Sequence, residues 1–403
     1  MDEWPVATFS DLIDRGVLEI GDGYRAKNNE LGGDGPIFLR AGLVQDDGID
    51  VSKAERFFVE RIPAVVGKMS RPGDVLVTTK GNSTGRTAFI SSSLPTVVYS
   101  PHLSYWRSMR SDVLVPGYLR FWSQSESFRR QLAGMAASTD MAPYLSLSDQ
   151  RRLRIQVPPI EVQLRAARIL GALDDKIDLS RRMSGTLEAA ARVLFQSWFV
   201  NKPSAGVTVR GLDEIAVFLN GLAMQRFPPT TPDSLPVIKI AQLRTGDTRS
   251  ADLAAADIPA DYVVRDGDVL FSWSGSLECV LWAGGNGALN QHLFKVTSAD
   301  FPKWFYYLWI HEHLADFREI AAGKATTMGH IQRHHLSQAR VLVPERAVLA
   351  AADRVLGPMI EQITLRRVEA RTLAETRDSL LPRLVSGDLR MNDADQILET
   401  ASA

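Results

Sequence analysis

Apolar residues recur at a 3.5-residue spacing in two separate stretches of the chain. In the first, Ala166, Leu170, Leu173, Ile177, Ser180, Ser184, Leu187, Ala191, Leu194 and Trp198 follow one another by alternating steps of four and three. That is the seam of a long helix that meets a partner along one face. The second stretch repeats the comb 186 residues later, at Ala352, Leu356, Met359, Ile363, Arg366, Ala370, Leu373, Arg377, Leu380 and Leu384, and is less apolar where the two arginines fall. Pro158, Pro159 and Pro344 stand at the N-terminal ends, where proline is tolerated. A helix of about 40 residues is about 60 Å long. Its seam needs a partner, and the nearest is the other helix. The pattern predicts that the two pair as an antiparallel coiled coil, each fed from its own globular domain. The competing expectation is two ordinary helices packed inside one globule, and a comb of this length, seen twice, favours the coiled coil.

The remaining segments also echo each other. Pro36-Ile37-Phe38-Leu39 resembles Pro236-Val237-Ile238-Lys239, Pro72-Gly73-Asp74-Val75-Leu76 resembles Asp266-Gly267-Asp268-Val269-Leu270, His102-Leu103 matches His292-Leu293, and Ile155-Gln156-Val157-Pro158 matches Val341-Leu342-Val343-Pro344. The offsets fall in order, 200, 194, 190 and 186, as expected of a duplication with small deletions. Short β-branched runs after Gly-Asp turns, such as 74–79 and 268–273, predict strands, and 116–130 and 302–319 predict amphipathic helices. The fold class is α+β. The expected division is a first globular domain at 1–157, a first long helix at 158–202, a second domain at 203–343, a second long helix at 344–390 and a loose polar tail at 391–403.

Composition narrows the function classes. The chain has 403 residues and 45% hydrophobic positions, enough for real cores. No run of 18 apolar residues predicts a membrane span, and the start of the chain does not read as a signal peptide. The single cysteine, Cys279, cannot form an internal disulfide, which fits a reducing cytoplasm. The formal net charge is −1, and a nucleic-acid binder usually carries a basic surplus. Residues 1–157 hold 19 basic and 18 acidic residues, and 203–343 hold 12 and 14. Any affinity for phosphate must come from local patches, such as Arg129-Arg130 or Arg151-Arg152 with Arg154, or from partners.

Catalytic patterns are missing. Lys80-Gly81-Asn82-Ser83-Thr84-Gly85-Arg86-Thr87 has the look of a phosphate loop, but only three residues separate its glycines and Arg stands where Lys is required. It reads as a strand-joining turn or a DNA-contacting loop. His311, His313, His330, His334 and His335 crowd one region, but a His-x-His pair on a helix points to different faces, so no metal site is expected. A nucleotide- or metal-dependent hydrolase lacks its constellation here.

Several stretches taken together resemble the DNA-specificity (S) subunit of type I restriction–modification systems. They are 23–28 (GYRAKN), 235–243 (LPVIKIAQL), 267–270 (GDVL), 290–295 (NQHLFK), 158–163 (PPIEVQ) and 379–387 (SLLPRLVSG). The resemblance covers nearly the whole chain. It implies that the two globular domains are target recognition domains, each reading one half of a split, asymmetric double-stranded DNA site, with the helices as spacers. It implies no catalysis and no cofactor in this chain. Two methyltransferase subunits would dock on it and carry S-adenosylmethionine for adenine-N6 methylation, and a restriction subunit can join them. A scaffold that binds only protein through its duplicated module is the alternative.

On that resemblance the DNA-binding candidates are Tyr24, Arg25 and Lys27, matched roughly by Gln225 and Arg226. Others are Lys80, Asn82, Ser83, Thr84 and Arg86, matched by Ser272, Trp273, Ser274 and Ser276. Ser138 and Thr139 are matched by Lys324, Thr326 and Thr327. Arg and Gln suit base edges, while Lys, Ser and Thr suit phosphates. His102 and His292 recur in matching positions, with a structural role preferred over a DNA contact. Leu187, Leu194, Leu373 and Leu380, with Trp198 and Phe199 at the end of the first helix, are the candidates for docking a partner.

Overall fold

The computed structural model describes residues 4–45, 48–136, 144–201, 206–229, 232–323 and 329–386. Two long helices dominate it, Ile160–Phe195 and Arg346–Ser386. Close packing divides the chain into two units, one of residues 1–174 with 375–403 and one of 175–374, so each long helix contributes to both.

The comb marks the buried seam. Ala166, Leu170, Leu173, Ile177, Ser180, Ser184 and Ala191 are buried on the first helix, and Ala352, Leu356, Ile363, Ala370, Leu373, Leu380 and Leu384 on the second. Cross-helix bonds set the direction. In the second unit the Ser180 hydroxyl donates to Glu369 at 2.9 Å, and Arg367 binds Glu188. Numbers rise along one helix as they fall along the other, so the pair is antiparallel. The polar seam positions are bonded: Arg366 reaches Glu369 at 2.8 Å, and in the first unit Arg377 reaches Asp174 at 2.8 Å. Polar groups placed this way cost stability and fix register.

The first long helix does not end as the comb predicts. Gln196–Val200 form a π-helical turn, which takes an extra residue per turn and advances the phase by one. Phe195, the last residue of the α-helix and four on from Ala191, and Phe199, within the turn, are the buried residues, and Trp198 is 37% exposed. The predicted helices 116–130 and 302–319 are each two helices. Pro116–Trp122 is followed by Glu126–Ala136, the break lying at Ser123-Gln124-Ser125, where the Ser125 hydroxyl accepts from the Phe128 N–H at 3.3 Å. Lys303–Glu312 is followed by Leu314–Ala322. Nor is Lys303–Glu312 amphipathic, for Trp304 to Ile310 are all buried. A helix apolar all round belongs inside a core, and this one lies in the main core of the second unit, with Phe195, Phe199 and Leu356.

The two halves repeat strand for strand. The first domain has an antiparallel sheet in the order Leu18–Asp22, Leu103–Ser108, Val75–Thr78, Thr87–Phe89, and the second has Val217–Asn220, Leu293–Thr297, Val269–Ser272, Cys279–Leu281. Each domain also pairs its first strand with its last, Val6–Thr8 with Arg154–Gln156 and Thr208–Gly211 with Arg340–Val343. Each has a parallel pair, Ile37–Leu39 with Val97–Tyr99 and Ser234–Ile238 with Gly287–Leu289. The first domain holds a buried ion pair at its four-stranded sheet. Asp74 accepts two bonds from Arg107, both at 2.7 Å, and one from the Tyr99 hydroxyl at 2.6 Å. The matching Asp268 has Lys295 at 3.3 Å.

The second unit holds a half-buried charge cluster. Glu188 accepts from Arg367 and Arg192, and from the Tyr307 hydroxyl at 2.5 Å; His311 lies against the Tyr307 ring, with centroids 4.5 Å apart. Burial, and then the Arg192 charge, push the His311 pKa down to about 3. The folded protein keeps this imidazole neutral, whereas the unfolded chain takes up a proton near pH 6.5. Stability of this unit should therefore fall as pH drops from about 6.5 towards 3, with up to about 1.4 kcal/mol per pH unit from this group. Urea titrations between pH 7 and 5 check it. A His311→Phe chain with the same pH slope as the natural chain would remove the assignment.

Candidate nucleic-acid interface

Strand register gathers most of the sequence-predicted residues at one end of each four-stranded sheet. In the first domain Asp22 pairs with Ser104 and Thr78 with Leu103. The segments after Asp22 and Thr78 and before Leu103 therefore emerge together, and they carry Tyr24, Arg25, Lys27, Lys80 to Arg86, and His102. In the second, Asn220 pairs with Phe294 and Ser272 with Leu293, which gathers Gln225, Arg226, Trp273 to Ser276, and His292. Tyr144 bridges to Lys80, and His330 to Ser274, so a further segment of each domain reaches the same end.

The gathering is done by the backbone. The Tyr24 N–H donates to the Tyr99 carbonyl at 2.6 Å, and Leu222 to Leu289 at 3.0 Å; Thr79 donates to His102 at 2.9 Å, and Trp273 to His292 at 3.3 Å. Glycine precedes the first of these bonds in both domains because nothing larger fits. A Cβ on Gly23 would lie 2.0 Å from the Ser100 oxygen, and one on Gly221 2.2 Å from the Asn290 oxygen.

The candidates separate by exposure. Arg25, Lys27, Lys80, Asn82, Gln225, Arg226 and Ser276 are exposed. Tyr24 is half-buried and its hydroxyl donates to Glu30 at 3.0 Å; the Lys27 N–H, with Tyr24 and Arg61, holds the Glu30 carboxyl below the usual range. Ser83, Thr84 and Arg86 are half-buried in a hairpin loop. The Thr84 hydroxyl donates to Gly81 at 2.7 Å and the Arg86 guanidinium to Val44 at 3.0 Å. Gly81 and Gly85 take φ of 84° and 88°, and a Cβ on Gly85 would strike Leu132 at 1.9 Å. The loop's glycines thus serve the turn. Ser138, Thr139, Lys324, Thr326 and Thr327 lie outside the described residues, as do 387–390 of the predicted second helix and the tail 391–403.

Two candidates are corrected outright. Ser272 is wholly buried, and its hydroxyl donates to the Ser276 carbonyl at 2.7 Å and accepts from the Glu278 N–H at 2.8 Å. Thr78 does the same in the first domain, donating to Ser83 and accepting from Arg86. Both hydroxyls close a hairpin and face no ligand. Ser274 is also buried, with its hydroxyl 3.0 Å from His292 Nδ1. Trp273 is half-buried, and its indole N–H donates to Asn220 at 2.9 Å and to the Gln291 carbonyl at 3.1 Å. Replacing Ser272 by Ala should cost about 1–3 kcal/mol, because the Glu278 N–H loses its acceptor. Thermal melting reads this, and an unchanged melting point would return Ser272 to the surface.

The partner-docking candidates fare similarly. Phe199, Leu373 and Leu380 are buried within the chain, which leaves them no face for another protein. Leu187 and Leu194 are half-buried against the core of the second unit. Trp198 stays exposed. The sequence reading missed an outward stripe on the same helix, Leu179, Met183, Thr186, Ala190, Val193 and Ser197, all exposed. It runs at the same 3.5-residue spacing as the seam and was visible as a second, weaker comb.

Among the described residues no group of three His, Cys, Asp or Glu converges as a metal site. Cys279 is buried and its thiol is pushed well up by burial. No described helix is long and apolar enough to cross a membrane.

The duplicated plan is shared with known proteins. Over 97% of its length the chain is 22% identical to the specificity subunit of the type I restriction enzyme MjaIX of Methanocaldococcus jannaschii, and the match spans 94% of that protein. Over 52% of its length it is 26% identical to the specificity subunit of the type I restriction enzyme HindI of Haemophilus influenzae, across 46% of that protein. The crystal structure of the S subunit of a type I restriction–modification system from M. genitalium overlays on it with a TM-score of 0.57, covering 95% of this chain and 96% of that one at 13% identity. Its relatives and its fold are those of type I specificity subunits. No family model matches the sequence. In this chain each half carries one sheet end of the kind described above, and the side chains displayed there differ between the halves: Arg25 and Lys27 in one, Gln225 and Arg226 in the other.

Proposed function

We propose that this chain is the DNA-recognition subunit of a type I restriction–modification complex, acting in the cytoplasm. Its two domains read the halves of a split, asymmetric site and direct adenine-N6 methylation by two methyltransferase subunits, which carry S-adenosylmethionine. A restriction subunit can join the assembly. The chain itself binds no cofactor and catalyses no step. The carrying observation is the duplicated sheet end: one backbone scaffold, made twice, with different exposed side chains on each copy. Equal frames with unequal surfaces suit two readers of two different half-sites. The long helices set the gap between half-sites, so removing one heptad from each should change the spacing that the complex accepts.

The near-neutral charge gives the chain little phosphate affinity alone, so most of the grip falls to its partners. The test is the methylome of the host with and without this gene. Loss of one split adenine-methylation motif is expected, and an unchanged methylome would refute the reading.

The buried seam leaves the outward stripe of the first long helix for docking. Met183→Lys with Val193→Glu puts charge at two positions ten residues apart on that stripe without touching the seam. Co-purification with the methyltransferase should drop at least tenfold while the melting point moves little. Full retention would move the docking face elsewhere.

A further inference from the structure

We propose that Asp266 and Arg371 are positioning residues: their ion pair fixes the angle of the second recognition domain on the second long helix, and so selects the gap between half-sites. The inference rests on the DNA-recognition reading above and deepens it, adding a rotational stop to the length that the helices supply. Thr364, Arg367 and Arg371 follow at steps of three and four along Arg346–Ser386 and so share one face, which meets the second domain. The two terminal nitrogens of Arg371 donate to the two oxygens of Asp266, both at 2.9 Å, and Nη1 also donates to the Ala283 carbonyl at 2.5 Å. The Gly285 N–H donates to Asp266 at 2.8 Å. Arg367 donates to the Leu281 carbonyl at 3.3 Å, and a Cβ on Gly267 would stand 3.6 Å from the Thr364 methyl.

The grip lies at a telling place. Val269 pairs with Leu281 and Phe271 with Cys279. Residues 266–268 and 282–285 therefore lie at one end of this hairpin, and Trp273 to Ser276 at the other. The helix holds one end of the strands whose opposite end carries the candidate DNA loop. The apolar core also presses the domain on the helices, but hydrophobic packing has no direction. A guanidinium fork on a carboxylate has one.

The duplication shows that folding of the module does not require this pair. The matching positions in the first repeat are Pro72 and Gly185, which can form no such bond. The first unit has a fastening of its own, where Arg120 of the domain binds Asp174 of the first long helix, and Asp174 also accepts from Arg377 at 2.8 Å. The places matching these three in the second repeat are Tyr306, Ile360 and Ala191, all in the apolar core. A bond that the module needed in order to fold would stand in both copies. Fastenings at different points suit a joint that is set separately in each half.

The size of the signal says why such a joint matters. One base pair more in the gap moves the far half-site by about 3.4 Å and turns it by about 35° around the DNA axis. The length of a helix opposes the shift, and a directional joint opposes the turn.

The experiment uses the full chain co-purified with its methyltransferase. Methylation is timed on duplexes that carry both natural half-sites at the natural gap and at gaps one base pair shorter and longer. The natural complex should prefer its own gap. Arg371→Met should lower that preference about tenfold, the scale of one lost charge-assisted contact, and leave the motif of each half-site unchanged. Asp266→Asn keeps an acceptor for the Gly285 N–H, disturbs the fold least, and should lower it in the same direction. Arg371→Lys, which keeps the charge but not the fork, should fall between natural chain and Arg371→Met. A loss of stability alone slows all three duplexes equally. Unchanged gap preference, within twofold of the natural chain in both Arg371→Met and Asp266→Asn, would overturn the proposal, as would an altered half-site motif. If the natural complex selects no split motif, the DNA-recognition reading itself fails; if it does and the variants keep its gap, only this inference fails.

Discussion

Arg107→Met will destabilise the first unit by about 3–5 kcal/mol, the cost of leaving one member of a buried ion pair without the other. Asp74 is wholly buried and receives both fork nitrogens of Arg107 at 2.7 Å, with the Tyr99 hydroxyl at 2.6 Å. Removing the guanidinium leaves a carboxylate with one hydroxyl and the Arg71 N–H for company. Burial and the nearby carboxylate already push the Tyr99 hydroxyl far above its usual range, so it will not ionise to help. The double variant Asp74→Asn with Arg107→Met removes both charges, keeps an acceptor for Tyr99, and should recover most of the loss. Hydrogen exchange of the Val75–Thr78 and Leu103–Ser108 amides reads the effect locally. A loss under about 1 kcal/mol would mean that water reaches the pair.

Phe195→Ala should cost the second unit about 3–5 kcal/mol, the range for truncating a fully buried aromatic ring. The ring lies 5.4 Å from Phe199 and 5.2 Å from Trp309, centroid to centroid, and 6.4 Å from Trp304. These residues join the last turns of the first long helix to the all-buried Lys303–Glu312 helix. Trp198→Ala, three residues on, should cost well under half as much, since Trp198 is partly in water. Denaturant melts of the two variants compare them directly. Equal losses would contradict the burial of Phe195 over Trp198 and restore the plain heptad.

That contrast shows what the sequence made legible. A comb sustained over some five heptads is strong because every tooth is a separate observation, and from Ala166 to Ala191 every position but the half-buried Leu187 is buried. It failed at the end of the helix, where Phe195 and Phe199 are buried in place of Leu194 and Trp198, which apolar spacing cannot announce when such residues stand side by side. The duplication was legible for the same reason of repetition, and the strand order bears it out. The breaks at Ser123-Gln124-Ser125 and before Leu314 were hidden, because apolar residues continue on both sides of each. At the sheet ends the orientation of the polar residues was not readable. Ser272 and Ser276 look alike in the sequence, yet one closes a hairpin from within and the other faces water. Polar residues at turns satisfy the backbone as often as they meet a ligand. Phe199, Leu373 and Leu380 were named for docking and are buried, because the seam is the louder pattern and apolar spacing does not say whether its partner lies inside the chain.

The bonds that gather the loops at each sheet end run between backbone groups, with two buried hydroxyls and two close-set glycines as the side-chain requirements. Such a frame is indifferent to what its exposed positions carry. A gene encoding it can drift at those positions without having to refold the product. The lineage thus inherits a stable carrier with an editable address, and novelty in what it recognises need not first pass through a misfolded ancestor.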